Sequence, residues 1–252
     1  MTGKFQQAKT KLKDALRKSE SNPKSPYIVL LDEANLSPME HYWSDFIKLA
    51  DLNYPRNIKI SDNEEIQFGK GFRFVATINH DHTTEALSNR LIDRASIIQL
   101  EKPDKNNIVD EINEFSEKVL NIFDFVELQN LFIPTPKWKS DETLIVNTLE
   151  SIKEKIEKTN NGIIISPRKH IAILKYCKVA TGLLEGNSYT ALDYAVSQHI
   201  LPLINGRGDE FENILKTLKE DLRDKGMLKS EKLLNKIIER GKEFKHFKYI
   251  YY

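Results

Sequence analysis

A run of five apolar residues followed at once by two acids constrains the fold of this chain more than any other segment. Residues Tyr27–Leu31 have the sequence Tyr-Ile-Val-Leu-Leu. They directly follow Pro26 and are followed by Asp32 and Glu33. A short apolar run between a proline and acids is typical of a strand that is buried on both faces, as in parallel sheets covered by helices. The segment therefore predicts an α/β fold with both carboxylates at the carboxyl end of a strand, where open α/β sheets bind ligands.

Carboxylates at this position suit metal and proton chemistry. Asp32 can hold Mg²⁺, usually through water or substrate phosphates, and Glu33 can orient or deprotonate an attacking water. The alternative is an ordinary acidic exit from a strand.

A second apolar strand, predicted over residues 72–78, ends in Asn79. If the two strands are neighbours, Asn79 lies beside the acids and positions water or a γ-phosphate; otherwise it caps the next turn, a common role of asparagine.

Three arginines are candidates for contact with phosphate. Arg90 and Arg94 lie on a short helix predicted over residues 87–94. An arginine there can reach the phosphate of a neighbouring subunit and stabilise transition-state charge; pairing with Asp93 or Glu85 is the alternative. Arg168 lies at the start of a later helix, where a cation gains nothing from the helix dipole. It is therefore interpreted as a phosphate contact or as a solvated arginine.

The predicted secondary structure divides the chain into two parts. Residues 1–103 mix helices with strands, including a β-hairpin over residues 57–68 and a third short strand over residues 97–100. Residues 104–252 show helical periodicity throughout. The helices of this second part are predicted over residues 108–122, 141–158, 167–184, 189–204, 209–224 and 230–245.

Taken in order, these segments resemble the AAA+ ATPases, and within them the McrB-like, dynein-related branch. The resemblance covers about residues 5–240. Residues 27–37 are similar to the Walker B strand, residues 72–79 to the sensor 1 strand, and residues 87–95 to the arginine-finger segment. Residues 166–168 are similar to sensor 2, and residues 191–204 to a segment of the helical lid.

The resemblance implies a fold, a reaction and partners. The fold would be a partial P-loop NTPase core, a parallel sheet over residues 1–103, followed by an all-helical lid over residues 104–252. The reaction would be hydrolysis of ATP or GTP with Mg²⁺ in a homo-oligomeric ring, with the base preference and ring size left open. A McrB-like motor would work on nucleic acid with a nuclease subunit, as in a restriction system.

The same resemblance assigns roles to the candidate residues. Asp32 would bind Mg²⁺ through water, Glu33 would activate the attacking water, and Asn79 would orient it. The arginines would contact phosphate, with Arg94 best matching the finger that acts on the adjacent subunit, Arg90 second, and Arg168 acting as sensor 2.

The phosphate-binding loop of this family is missing from the sequence. No G-x-x-x-x-G-K-[ST] pattern occurs. We therefore expect the chain to correspond to the C-terminal part of an AAA+ module and to bind nucleotide poorly by itself. Two alternatives stay open. One is a non-catalytic assembly module that supplies Arg94 in trans. The other is a nucleic-acid-binding protein that uses the basic, aromatic residues 242–252, a stretch that also suits a docking tail or a frayed terminus.

Composition excludes some classes of protein. Lys plus Arg number 38 and Asp plus Glu number 37, which argues against a polyanion-binding surface over the whole chain. The single cysteine, Cys177, excludes an intrachain disulfide and is predicted to be a buried thiol. Residues 80–82, His-Asp-His, favour a solvent loop over a metal site. No apolar run approaches the roughly 18 residues of a membrane helix, so we expect no membrane partner and a cytoplasmic location.

Overall fold

The computed structural model describes residues 3–23, 25–48, 57–61, 64–68, 71–79, 84–100, 142–159 and 161–249. The helices in these ranges are α1 (Gly3–Ser21), α2 (Met39–Lys48), α3 (Asn89–Arg94), α4 (Glu142–Glu157), α5 (Pro167–Ala180), α6 (Thr190–Ala195), α7 (Asp209–Asp224) and α8 (Leu228–Gly241). The strands are β1 (Tyr27–Leu31), β2 (Asn57–Ser61), β3 (Glu64–Gln67), β4 (Phe72–Ala76), β5 (Asn205–Arg207) and β6 (His246–Lys248). None of the helices in the described ranges is long and apolar enough to cross a membrane.

Strands β1 and β4 form a parallel pair, as the sequence predicts. Leu31 lies opposite Ala76 at the carboxyl end of the pair. The pairing continues past the strands, because the N–H of Thr77 donates to the carbonyl of Leu31 at 2.9 Å and the N–H of Ala34 donates to the carbonyl of Thr77 at 2.9 Å. These bonds bring the exit loops of the two strands together.

One face of this sheet is exposed, which corrects the prediction that β1 is buried on both faces. Ile28 and Leu30 are 70% and 59% exposed, and Val75 on β4 is 49% exposed. The other face packs against α1 and the β2–β3 hairpin, around the buried residues Leu16, Ile58, Ile66, Phe68 and Phe72. An apolar strand therefore needs a second covering layer that the described part of the chain does not supply.

The predicted hairpin is confirmed as an antiparallel pair of β2 and β3, with Ile58 opposite Ile66. The turn was predicted over residues 61–63, but Ser61 belongs to β2, and residues 62–63 lie outside the described residues. Helix α1 is attached to the hairpin by Lys13 and Arg17, whose side chains lie 2.6 and 2.7 Å from the Glu64 carboxylate. Hydrogen bonds from these two cations lower the pKa of Glu64.

The predicted third strand over residues 97–100 is wrong. The segment makes no strand pairing in the described structure, and the N–H of Ile97 donates instead to the carbonyl of Gln198 at 3.0 Å. Ile98 and Leu100 are 64% and 86% exposed. The short apolar run has the composition of a strand, but its hydrogen-bond partner is a helical turn of the second part.

Helices α4 to α8 share one continuous core, to which each contributes buried apolar residues such as Leu149, Cys177, Leu192, Leu215 and Leu234. The five helices predicted from residue 141 onward are confirmed, with shifted ends. Helix α6 continues through a π-helical turn, Val196–Ile200, into a short 3-10 turn, Leu201–Leu203. The helix predicted over residues 108–122 and the boundary at residue 103 lie outside the described residues.

The second part is not all-helical, which corrects the predicted lid. Strands β5 and β6 pair antiparallel, with Gly206 opposite Phe247. Phe247 is fully buried, and the N–H of Tyr249 donates to the carbonyl of Ile204 at 3.0 Å. Helix α8 consequently ends at Gly241, before the predicted end. Residues 246–248 are paired as β6 rather than frayed, and residues 250–252 lie outside the described part.

Helix α8 begins on a carboxylate from another helix. The Oδ2 and Oδ1 atoms of Asp193 accept the N–H groups of Lys229 and Ser230 at 2.9 and 2.7 Å, and the Ser230 hydroxyl donates to the Asp193 carbonyl at 2.8 Å. Asp193 is thus buried without loss of its hydrogen bonds, and its negative charge suits a helix N-terminus. This contact fixes α8 against α6.

Candidate functional site

Five polar residues lie together at the carboxyl ends of β1 and β4, and we refer to Asp32, Glu33, Asn35, Thr77 and Asn79 as the acid–amide cluster. The Thr77 hydroxyl donates to Oδ1 of Asp32 at 2.6 Å and accepts the N–H of Glu33 at 2.9 Å. The Asn79 Nδ2 donates to Oε1 of Glu33 at 3.1 Å. The structure therefore brings together the three residues that the sequence predicted to converge.

Asn35 holds the two exit loops in register. Its side chain is buried, its Nδ2 donates to the carbonyls of Asn79 and Glu85 at 2.8 and 3.3 Å, and its Oδ1 accepts the N–H of Asn79 at 3.1 Å. Sequence reasoning missed Asn35 and Thr77. The available signal was that both are polar residues within four positions of the two strand ends.

The backbone of Glu33 adopts a left-handed conformation, with φ 50° and ψ 45°. A residue with a side chain rarely takes this conformation, which costs on the order of 1–3 kcal/mol. The N–H of Glu33 is held there by Thr77, and the resulting turn directs the carboxylate toward Asn79. Strain of this kind concentrates at functional sites.

The cluster presents two carboxylates and an amide to solvent. Asp32, Glu33 and Asn79 are exposed, so a hydrated cation can reach them. Mg²⁺ in nucleotide sites is commonly held by one or two carboxylates together with waters and phosphates, and the two acids fit that pattern. Among the described residues, no group of three or more His, Cys, Asp or Glu side chains could enclose a metal ion. The residues present do not provide a phosphate cradle, because the sequence has no phosphate-binding loop.

The two candidate finger arginines differ in exposure. A finger that reaches a neighbouring subunit would have to face outward, but the Arg94 side chain is 15% exposed, lies 3.8 Å from the Asp93 carboxylate and donates to the carbonyl of Arg90 at 3.1 Å. Arg90 is exposed. In this structure Arg94 folds back along α3, and Arg90 is the arginine of that helix that a neighbour could reach.

Arg168 contacts α3 rather than the acid–amide cluster. Its Nη1 donates to Oδ2 of Asp93 at 3.0 Å, while the Ser166 hydroxyl donates to Oδ1 of the same carboxylate at 2.6 Å. Asp93 therefore lies between the candidate finger, Arg94, and the candidate sensor, Arg168. The interpretation of Arg168 as a solvated arginine is wrong in this structure.

Lys169, which sequence reasoning missed, fixes the same junction from inside. It is 1% exposed, and its ammonium donates to the carbonyls of Ile92 and Ala95 at 2.5 and 2.9 Å, at the C-terminal end of α3. Burial lowers the pKa of Lys169 to about 8. Burial, and then the nearby charge of Lys169, lower the pKa of His199 to about 4; His199 bonds the Ser96 hydroxyl at 3.0 Å.

A comparison with protein-family models matches residues 118–247 to a domain of unknown function, DUF8727. The match covers just over half of the chain. The chain belongs to the DUF8727 family. The DUF8727 match includes Arg168, Lys169 and the core of α4 to α8, and it begins after the acid–amide cluster and Arg94. Comparisons with curated proteins and with solved structures found no match.

Residues 80–82, for which a solvent loop is predicted rather than a metal site, lie outside the described residues, as do residues 250–252 of the C-terminal stretch used by the nucleic-acid-binding alternative. In the described part of that stretch, two aromatic side chains pack inward. Phe247 is buried, and Tyr249 packs against the core, where burial raises its pKa to about 12. These two rings are therefore not available to stack on bases.

Proposed function

We propose that this chain supplies the hydrolytic half of an AAA+-type nucleoside-triphosphate site, and that the phosphate-binding loop comes from a separate segment. One observation carries the proposal: the amide of Asn79 holds the Glu33 carboxylate at 3.1 Å, at the carboxyl ends of two adjacent parallel strands. Ligands bind at that edge in open α/β sheets, and an acid fixed by an amide is suited to positioning water.

Each residue of the cluster would have one task. Glu33 would take the proton of the attacking water, and Asn79 would keep its carboxylate in the orientation that this transfer needs. Asp32, oriented by Thr77, would hold a hydrated Mg²⁺ through water. Bound Mg·ATP or Mg·GTP would supply the reacting phosphate, and the choice between the two bases stays open.

The arginines belong to the same proposal. Arg90 or Arg94 would contact the nucleotide of an adjacent subunit in a homo-oligomeric ring, and Arg168 would report nucleotide state from the helical part through its contact with Asp93. A ring of this kind would drive mechanical work on nucleic acid with a nuclease partner. Because the reaction would consume ATP or GTP from the cell interior, a cytoplasmic location is part of the proposal.

Two rival functions have less support from the described residues. A non-catalytic assembly module would leave the contact between Glu33 and Asn79 without a catalytic role, whereas the proposed hydrolytic site uses it directly. A nucleic-acid-binding module based on stacking would present the aromatic residues near the C-terminus, whereas Phe247 is fully buried.

Nucleotide binding by the 252-residue protein is the first test. Isothermal titration with Mg·ATP and Mg·GTP should detect no tight binding, because Asp32 and Glu33 bring negative charge to a negative ligand without a compensating loop. Micromolar affinity of the unaided chain would contradict the proposed division of the site.

Hydrolysis is the second test, with a polypeptide that carries a strand and a G-x-x-x-x-G-K-[ST] loop supplied to the chain. Phosphate release should then appear, and Glu33→Gln should lower it by about 10²- to 10⁴-fold, the range typical of a lost general base. Glu142→Gln, an exposed acid at the start of α4, is the matched control and should leave the rate unchanged. Equal rates for Glu33→Gln and wild type would refute the catalytic role of this acid.

A further inference from the structure

Asn35 is the one member of the acid–amide cluster whose side chain is buried, at 3% exposure, and it has no part in the proton transfer proposed above. A buried amide is costly unless its polar atoms are hydrogen-bonded. The hydrogen-bond partners of Asn35 therefore identify the segment that its burial holds in place.

The Asn35 side chain contacts both main-chain polar groups of Asn79. Its Oδ1 accepts the N–H of Asn79 at 3.1 Å, and its Nδ2 donates to the carbonyl of Asn79 at 2.8 Å. The N–H and the carbonyl of a residue lie on either side of its two free backbone torsions. Because one side chain holds both groups, it restricts both torsions of Asn79.

The second donor hydrogen of the Asn35 amide connects this contact to the segment before α3. Nδ2 donates to the carbonyl of Glu85 at 3.3 Å, and the N–H of Glu85 donates to the main-chain carbonyl of Asn35 at 2.8 Å. The Thr84 hydroxyl adds a bond to the carbonyl of Asn79 at 3.1 Å. The main chain of Asn79 is thus held both from the exit of β1 and from the segment before α3.

Glu33 and Asn35 reach Asn79 from the same turn. Glu33 accepts from the side-chain amide of Asn79 at 3.1 Å, whereas Asn35 holds the Asn79 main chain. Asn35 has φ −97° and ψ 20°, near the sparsely populated bridge region in which many active-site residues lie. Because the backbone torsions of a residue limit its side-chain rotamers, the contact between Asn79 and Glu33 depends on the grip of Asn35 on the main chain.

We propose that Asn35 is a positioning residue, which keeps the Asn79 amide on the Glu33 carboxylate by fixing the main chain of Asn79. Its effect on catalysis rests on the proposed function, in which Glu33 takes the proton of the attacking water. Asn35 does not contact the reacting atoms and acts through Asn79. Its removal should therefore release Glu33 from Asn79 and leave the contact between Asp32 and Thr77 in place.

NMR signals of the Asn79 side-chain amide test the positioning in the intact chain without nucleotide. Glu33→Gln should shift these signals, because it replaces the carboxylate that accepts from Nδ2. In Asn35→Ala, the added Glu33→Gln substitution should leave them unchanged, because the contact is already lost. Asn35→Asp keeps the size and an acceptor but removes both donors, and it should give the same result as Asn35→Ala. An equal response to Glu33→Gln with and without Asn35 would overturn the proposal.

Phosphate release with the loop-bearing polypeptide tests the catalytic consequence. Asn35→Ala should lower kcat by about 10- to 100-fold and leave the KM for Mg·ATP nearly unchanged, because a small displacement of a catalytic group costs up to about a hundredfold. In an Asn79→Ala background, Asn35→Ala should lower kcat no further, because residues that act as a unit are not additive. A further loss of the same size in that background would show a general effect on the fold and would contradict the positioning role.

Ser230→Ala is the matched control for lost stability. The Ser230 side chain is fully buried, and its hydroxyl donates to the carbonyl of Asp193 in the helical part. This variant should lower the melting temperature without changing the Asn79 signals or kcat, and thermal melts verify that every variant is folded. Failure of the proposed function would be seen separately, as phosphate release that does not respond to Glu33→Gln, whereas the NMR comparison decides the positioning role in either case.

Discussion

The two parts of this molecule differ in how much of their apolar surface is covered. In the helical part, α4 to α8 enclose one continuous core in which Leu192 and Leu215 are fully buried. In the α/β part, the buried residues that the structure describes form two small clusters, and the outer face of the β1–β4 pair exposes Ile28 and Leu30. The acid–amide cluster lies at the edge of this thinner part.

This difference means that the well-packed part provides most of the stability, whereas the candidate site lies in the part with less packing. Local stability rises with buried apolar contact, and functional segments are drawn from the less stable regions. The helical part therefore accounts for most of the folding free energy that the described residues provide. The α/β part holds a strained Glu33 through hydrogen bonds from Thr77 and Asn79 rather than through packing. Asp93 and Lys169 join the two parts by polar contacts.

A pair of leucine truncations tests the difference in packing most strongly. Leu192→Ala, at a fully buried site, should lower the free energy of unfolding by about 3 kcal/mol, because it leaves a cavity in a core that cannot collapse freely. Leu30→Ala, at a site 59% exposed, should change it by less than about 0.5 kcal/mol. Urea unfolding measures both. A comparable loss in Leu30→Ala would show that the outer sheet face is covered in solution.

Acid should destabilise the helical part through His199. Its folded pKa, about 4, lies below the ordinary value, so the unfolded chain takes up the proton first as the pH falls. The stability that the neutral His199 contributes to the fold is fully present above about pH 6.5. As the pH falls from about 6.5 to 4, this stability is lost, by up to about 3 kcal/mol.

The matched variants compare this buried histidine with an exposed one of the α/β part. His199→Gln should flatten the stability profile between pH 6.5 and 4, whereas His41→Gln on α2 should leave the wild-type slope. Thermal melts across this range measure both slopes. An unchanged slope in His199→Gln would mean that the histidine is not buried in its neutral form.

The junction between the two parts should weaken when Asp93 is removed. Asp93→Ala leaves Ser166 and Arg168 without the carboxylate that accepts from both, and should lower stability by about 1–2 kcal/mol. The exposed Asp14→Ala on α1 should have almost no effect. Hydrogen exchange of the α3 amides should accelerate in the first variant alone. Equal protection of α3 in both variants would show that Asp93 does not couple the parts.

The smallest expected change in the free energy of unfolding is an increase rather than a decrease. Glu33→Gly removes the side chain from a left-handed residue and should stabilise the α/β part by about 0.5 kcal/mol, the relief of strain less the entropy of glycine. Glu65→Gly, in the extended strand β3, should instead destabilise by a similar amount. Urea unfolding of both variants checks the signs. Destabilisation by Glu33→Gly would mean that the carboxylate supports the fold rather than a function.

Local sequence patterns predicted the elements whose partners are set by their own apolar faces. The β1 run, the 72–78 run and the helices from residue 141 onward were found in this way. The convergence of Glu33 and Asn79 followed from one further step, because neighbouring parallel strands end at the same edge. The same logic failed for residues 97–100, where the N–H of Ile97 bonds to Gln198.

Contacts between distant residues were beyond the sequence pattern. Strand β6 pairs with β5, about forty positions earlier, and its own sequence continues a basic helical pattern. In the sequence, Lys169 looks like an ordinary lysine in the first turn of a helix. Its burial depends on the position of the C-terminal end of α3, which the sequence pattern does not specify. The exposed face of β1 was missed for the same reason, since an apolar run does not specify what covers it.

Binding of Mn²⁺, a paramagnetic substitute for Mg²⁺, tests the central claim about the acid–amide cluster most directly. In amide NMR spectra of the intact chain, low concentrations of Mn²⁺ should broaden the signals of Asp32, Glu33 and Asn79 before those around Asp93. Asp32→Asn should abolish this selective broadening. Broadening centred on Asp93, or a cluster whose signals respond to Mn²⁺ identically in wild type and Asp32→Asn, would contradict the assignment of this edge of the sheet as a cation and water site.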